Sequence, residues 1–165
     1  VPGQGALGEH VDGGLPEFIP VPAANLGPLP DDVPFEHAAA LPVAYGTAQR
    51  MLVTRGRVQP GELVLVLGAS GGVGTGCVQI ARAAGCAVIA CTGSADKAAR
   101  LRALGADHVV HTGEEDFSAR AWALSGRRGV DVVVNFTGGE TWAPSVRALR
   151  RGGRVLTCGA TAGHE

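Results

Sequence analysis

Aromatic side chains are scarce, at 4% of the 165 residues. A core built without them rests mainly on Val, Leu, Ala and Ile, which suits a buried parallel sheet covered by Ala-rich helices. Charge of one sign is lacking as well. The formal net charge is −1, and no basic stripe interrupts the chain, which argues against a nucleic-acid partner. The pairs Arg127-Arg128 and Arg150-Arg151 read as solvated loop or helix-end charges. No apolar run reaches the roughly 18 residues of a membrane span, so no membrane partner is expected. The opening Val1-Pro2-Gly3-Gln4-Gly5 does not have the form of a signal peptide. Cys77, Cys86, Cys91 and Cys158 show no CxxC or other metal-ligand spacing. In apolar surroundings such thiols act as small hydrophobes. The expected setting is reduced and cytoplasmic.

Glycine and proline are plentiful, and their distribution divides the chain. Over residues 1–34, Pro16, Pro20, Pro22, Pro28 and Pro30 exclude an interior helix. Two short extended candidates remain, Glu17–Pro22 and Leu26–Leu29. The stretch holds too little apolar material to fold alone and reads as the tail of a preceding domain. Asp32 and Pro34 then signal a helix start. Pro42 is expected to end or bend that helix, with a second one running from about Tyr45 to Thr54.

From Glu62 the pattern is regular. Leu63–Leu67 is an uninterrupted apolar run, as for a strand buried on both faces. Further strands are expected at Ala87–Cys91, His108–Val110, Val130–Val134 and Arg154–Cys158. Helices are expected between them, at about Val73–Ala84, Ala95–Leu104, Phe117–Leu124 and Glu140–Leu149. Strand and helix in alternation imply right-handed parallel crossovers, hence an α/β, doubly wound Rossmann sheet. The dinucleotide-binding version usually carries six strands, and five are legible here.

Between the first strand and its helix lies Gly68-Ala69-Ser70-Gly71-Gly72-Val73-Gly74. In a GxGxxG turn the second glycine lets backbone approach a pyrophosphate and the third allows close helix–strand packing. The helix N-terminus adds free N–H groups and a positive dipole end. With Gly74 as the third glycine, Gly71 is the second and Ala69 occupies the first position. A P-loop would require a Lys where this chain has Val73-Gly74-Thr75. Ser70, Gly71, Gly72, Val73 and Gly74 are therefore candidates for the pyrophosphate.

The end of the second strand bears on which dinucleotide is bound. An NAD site normally places Asp or Glu there for the ribose 2′-hydroxyl. This chain has Cys91-Thr92-Gly93-Ser94, with Lys97 one helical turn on. Lack of an acid, with Ser94 and Lys97 as donors, favours a 2′-phosphate and thus NADP(H) over NAD(H). Asp96 could instead reach the ribose, and Ser94 could simply cap the next helix. At the end of the fourth strand, Asn135, Phe136, Thr137 and Gly138 are expected to face the crevice where such sheets bind ligands.

Several stretches together resemble the medium-chain dehydrogenase/reductase superfamily, in its zinc-type alcohol dehydrogenase-like and quinone oxidoreductase-like branches. They are Leu7–His10 with Asp12–Gly14, Val21–Leu26, Ala38–Pro42 with Tyr45–Ala48, Gly68–Gly74, Gly93-Ser94 with Lys97, Leu104–Asp107, Gly129–Val133 and Gly152–Arg154. The resemblance implies that residues 1–40 are the tail of an N-terminal GroES-like catalytic domain. Residues 41–61 would be a connecting helix, and residues 62–165 a truncated Rossmann domain. It further implies hydride transfer between NADP(H) and a carbonyl, alcohol, quinone or activated alkene. Cys158, Gly159 and Ala160, with Val43 and Thr47, would lie near the nicotinamide.

The third zinc ligand of the alcohol dehydrogenases falls near Ala39, which cannot ligate, so no metal is expected within this chain. Any zinc ligands of the parent would lie outside it. His10 and His37 read as surface or hydrogen-bonded residues. No confident acid or base is legible; Tyr45 reads as packing. The implied partners are the dinucleotide and, in the full-length protein, a small-molecule substrate, with a homodimer left open. The alternatives are a nucleotide-binding module without turnover of its own, or a zinc-dependent alcohol dehydrogenase whose metal ligands lie outside the chain.

Overall fold

The computed structural model describes residues 7–163. The chain forms two compact units, Val1–Phe35 and Glu36–Glu165. Among its described residues the first unit holds a single-turn 3-10 helix, Ala23–Asn25, and one isolated bridge between Leu7 and Val11. The extended pieces expected at residues 17–22 and 26–29 do not become strands. Pro20, Pro22 and Pro28 offer no N–H to a ladder, and Leu15, Phe18 and Leu26 stay exposed.

All but the first residue of helix α1, Phe35–Gln49, belongs to the second unit, and the helix passes through Pro42. The expected break there is corrected: one helix is present, not two. Pro42 removes a single N–H from the ladder and crowds the carbonyl of Ala38 one turn back, yet the helix continues through it. A six-residue π-helical turn, Arg50–Arg55, continues it, closed by the Gly56 amide donating to the Met51 carbonyl at 2.7 Å. Only glycine fits at position 56, since a Cβ would lie 2.6 Å from Leu156 Cδ1 and 2.7 Å from the Met51 oxygen.

The alternation then follows in order. It comprises β1 (Leu63–Val66), α2 (Gly72–Ala83), β2 (Ala87–Thr92), α3 (Ala98–Ala103), β3 (His108–His111), α4 (Phe117–Leu124), β4 (Val130–Val134), α5 (Trp142–Ala148) and β5 (Leu149–Leu156). The strands form one sheet in the order β3-β2-β1-β4-β5, and every pairing is parallel. The doubly wound α/β fold expected from the alternation is thus the observed one. Successive residues of a strand point to opposite faces, and here both faces are covered. Val64, Val66, Val88, Ala90, Val132 and Val134 pack under α1, α2 and α3 residues such as Ala48, Cys77, Val78 and Leu101. Leu65, Ile89, Cys91, Val110 and Val133 pack on the other face with Phe117, Ala121 and Ala148 from α4 and α5. That is why the strands read as unbroken apolar runs rather than alternating ones.

The fifth strand differs from its sequence reading. It was expected to start at Arg154 after a helix reaching Leu149, but β5 begins at Leu149 itself. Val130 pairs with Leu149 and Val132 with Arg154, so residues 150–153 form an irregularity opposite Asp131. Gly152, at φ +76°, turns the bulge. Arg150 is solvent-exposed but lies in a strand rather than at a helix end, and its Nε donates to Asp131 Oδ1.

Carboxylates fasten the N-terminal edge of the sheet. Asp131 accepts the Leu63 amide at 2.7 Å, tying the start of β4 to the start of β1. Asp107 accepts the Val88 amide at 2.8 Å and Arg82 Nη1 at 3.1 Å. Arg154 forms a two-pronged pair with Glu62, at 2.8 and 2.7 Å, joining β5 to the residue before β1.

Candidate functional site

With all strands parallel, their C-terminal ends meet along one edge, opposite the carboxylate clamps. The turn after β1 stays in the sheet for two more bonds. Leu67 N–H donates to the Val134 carbonyl at 3.0 Å and Ala69 N–H to the Cys91 carbonyl at 2.9 Å. The left-handed residue of this turn is Gly68, at φ +58°. Ala69, in the first-glycine position, is fully buried and does not adopt a positive φ, so its methyl group is tolerated. Gly74 is sterically obligatory, because a Cβ there would lie 2.4 Å from the Gly68 oxygen and 2.7 Å from Ala69 Cα. This is the close helix–strand contact that the third glycine permits. Gly71 is the N-cap residue of α2, and its carbonyl accepts Thr75 N–H at 2.9 Å. The amides of Gly72, Val73 and Gly74 then have no hydrogen-bond partner among the described residues. Three free N–H groups at the start of a twelve-residue helix make a cradle for an anion.

Side chains link this turn to the end of β2. Thr92, nearly fully buried, donates through Oγ1 to Ser70 Oγ at 3.2 Å and accepts the Ser94 amide at the same distance. Ser94 precedes the 3-10 turn Ala95–Lys97, and its hydroxyl makes no capping bond. Lys97 borders a small cleft of about 120 Å³ with Ser70, Thr75, Arg100, Leu101 and Leu104. Asp96 does not line that cleft. Sequence reasoning missed Arg100. It lies three residues beyond Lys97 on a helical segment, a spacing that puts both cations on one face.

Beyond β4, Asn135 is fully buried rather than turned to the crevice. Its Nδ2 donates to Thr141 Oγ1 and Ser145 Oγ, both at 3.0 Å. Its Oδ1 accepts the amides of Thr137 and Gly138, also at 3.0 Å. Asn135 therefore shapes the loop, and Thr137 is the residue that loop presents. Thr137 borders an open cleft of about 420 Å³ with Gly68, Thr92, Gly93, Thr112 and Thr141. Phe136 packs beside the turn after β1, 3.0 Å from where a Gly68 Cβ would stand. Gly138 is buried under Ala160 and Gly163, and the Ala162 amide donates to the Thr137 carbonyl at 2.7 Å. Ala160 thus buttresses the loop after β4, while Gly159, at φ +82°, turns the chain toward it.

A third cleft of about 400 Å³ lies between the helical segment 47–55 and the end of β5, lined by Thr47, Arg50, Met51, Arg55 and Val155–Cys158. Thr47 and Cys158 both line this cleft. Val43, 80% exposed, does not line it. The Tyr45 hydroxyl accepts from Gln79 Nε2 on α2, which ties it into helix packing. Burial pushes the Cys158 thiol up from its ordinary value, and does the same to Cys77 and Cys91, each to about 12. These sulfurs are neutral thiols at physiological pH. Among the described residues no three His, Cys, Asp or Glu side chains converge as metal ligands.

A parallel sheet in the order 3-2-1-4-5, with a glycine turn opening its first helix, defines the Rossmann class of α/β protein. A family model described as zinc-binding dehydrogenase matches residues 72–165. The chain belongs to the medium-chain dehydrogenase/reductase superfamily. It is 36% identical over 149 residues to the quinone oxidoreductase of Rattus norvegicus, covering 90% of this chain and 45% of that protein. Among solved structures, an NAD-dependent alcohol dehydrogenase aligns over 99% of this chain and 48% of its own, with TM-score 0.93 and 41% identity. A mycobacterial protein complexed with NADPH aligns over 87% of this chain and 44% of its own, with TM-score 0.81 and 34% identity. The chain thus spans less than half the length of the relatives it matches.

Proposed function

We propose that this chain is the cofactor-binding part of an NADP(H)-dependent medium-chain reductase that moves a hydride between the nicotinamide and a carbonyl, alcohol, quinone or activated alkene. The dinucleotide supplies the hydride chemistry; the protein binds it, orients it and excludes water. The free amides of Gly72, Val73 and Gly74 fit its pyrophosphate. The Thr92–Thr137 cleft fits the adenosine, and the Thr47–Cys158 cleft fits the nicotinamide.

One observation carries the preference for NADP(H): Lys97 and Arg100 share a cleft with Ser70 and Thr75, and no acid ends β2. Two cations beside the ribose position suit a 2′-phosphate, and a carboxylate there would repel it. The similar structures include one NAD-dependent enzyme and one NADPH complex, so the local residues are the better guide. Separate titrations with NADPH and NADH test the reading. Lys97→Gln and Arg100→Gln should each weaken NADPH binding about tenfold, the scale of one charge-assisted hydrogen bond, and leave NADH unchanged. Tighter binding of NADH by the unaltered chain would overturn it.

The family's third zinc ligand falls near Ala39, which cannot ligate, so a zinc-dependent protein of this family would have to draw its ligands from residues other than these. A second reading, a binding module with no turnover of its own, draws on the cleft beside Cys158. Apart from two arginines its polar side chains are Thr47, Thr157 and a neutral thiol, a poor set for moving protons.

A further inference from the structure

His111, the last residue of β3, was not among the site residues read from the sequence. Its ring reaches the turn that leads β2 toward α3, with Nε2 3.0 Å from the Gly93 carbonyl oxygen. The other polar end of that same peptide unit, the Ser94 amide, donates to Thr92 Oγ1 at 3.2 Å. One peptide plane is therefore held by two side chains. Sterics do not hold it: a Cβ on Gly93 would meet only Thr112 Oγ1, at 3.9 Å. The plane sets the direction in which the chain departs toward Lys97 and Arg100.

The second ring nitrogen is placed unusually. Nδ1 is shielded from solvent and makes no hydrogen bond, although Glu114 Oε1 lies 3.3 Å away. The separation is that of an ion pair, but the alignment is not that of a hydrogen bond. Glu115 follows in the same turn and directs its carboxylate to Arg120 instead. No other charged side chain from β2, α3 or α4 pairs with the ring among the described residues.

An imidazole has three forms to offer here. The neutral tautomer with its proton on Nε2 keeps the Gly93 bond and leaves a buried lone pair facing a carboxylate. The tautomer with its proton on Nδ1 answers Glu114 and sets a lone pair against the Gly93 oxygen. The Gly93 bond therefore needs the proton on Nε2, as in the first tautomer and in the imidazolium. We propose that His111 is a positioning residue for the adenosine end of the dinucleotide site, acting through the Gly93–Ser94 peptide. The proposal rests on the dinucleotide reading.

The test compares the unaltered chain with His111→Gln and His111→Leu. NADPH affinity is measured at one pH for all three proteins. Gln keeps a donor for the Gly93 carbonyl and Leu does not, so His111→Gln should bind within about threefold of the unaltered chain and His111→Leu several times more weakly. A second readout needs no nucleotide: the Ser94 amide resonance should shift in His111→Leu and keep its position in His111→Gln. Equal affinity of the Leu and Gln variants, or a Ser94 amide unmoved in His111→Leu, overturns the proposal even if NADPH binds. Failure of all three proteins to bind NADPH overturns the dinucleotide reading as well.

Discussion

Gly74 has no room for a methyl group, and the obstacle is backbone rather than a movable side chain. Gly74→Ala should push α2 away from the turn after β1 and scatter the three free amides. The cost expected is about 3 kcal/mol, at the upper end of common single-residue effects, with loss of NADPH binding; thermal unfolding and nucleotide titration check both. Gly71→Ala is the control. Its Cβ would meet only the Gly68 oxygen, at 3.5 Å, so that variant should stay folded. The glycine turn was legible because its spacing is fixed by sterics that recur in every such turn. Asn135 and Thr137 were not separable in the sequence, since both are small polar residues ending the same strand. Burial alone distinguishes the residue that shapes the loop from the one that faces the cleft. His111 escaped notice because its effect runs through a backbone carbonyl from a neighbouring strand, a contact with no sequence spacing to mark it.

The edge clamps belong to the scale of strands and helices. Arg154 holds Glu62 below the ordinary carboxylate range. Burial alone would push Asp131 up, but the Leu63 amide and Arg150 outweigh it and bring it down. Bonds from Ser118 lower Asp116 at the start of α4. A carboxylate lowered in the folded state contributes stability that is complete above its unfolded value. That contribution is lost as pH falls through the lower, folded value. Urea midpoints should therefore change little between pH 5 and 8 and decline below about pH 4. Arg154→Met strands Glu62 half-buried and should cost about 2 kcal/mol at neutral pH, less than a fully buried pair would. It should also flatten the acid decline. Asp116→Ala should cost about 1 kcal/mol, as for other N-cap losses. The same clamps explain what was legible at this scale. Strands β1 to β4 announce themselves as apolar runs because both faces are covered. The start of β5 did not, because Arg150-Arg151-Gly152-Gly153 has the composition of a loop. It is a strand because Asp131 and the bulge hold it against β4. Pro42 misled for the opposite reason: its local cost falls in a helical stretch whose far end, at Ala48, Met51 and Leu52, is packed in the core.

At the scale of the whole molecule, the proposed reading separates cofactor binding from turnover. The cradle, the cleft proposed for the adenosine and the Lys97–Arg100 cleft are all built from residues 67–141. The cleft beside Cys158 is different, because one wall is β5 and the other the helical segment 47–55, with no acid or base between them. The 165-residue chain should therefore bind NADPH and be stabilised by it. With ligand at a hundred times its dissociation constant, linkage predicts about 2.7 kcal/mol. At about 2–4 °C per kcal/mol for a domain of this size, the melting temperature should rise by roughly 5–11 °C. NADH at the same concentration should raise it less. The same preparation should oxidise no NADPH in the presence of quinones or enones. Stabilisation without turnover would mean that the chemistry needs more than these 165 residues, as in the quinone oxidoreductase relative, which is about twice as long. Measurable oxidation by the chain alone would mean that the cleft of Thr47, Arg50, Arg55 and Cys158 already suffices as a substrate pocket. Arg50 and Arg55 would then be the first residues to substitute.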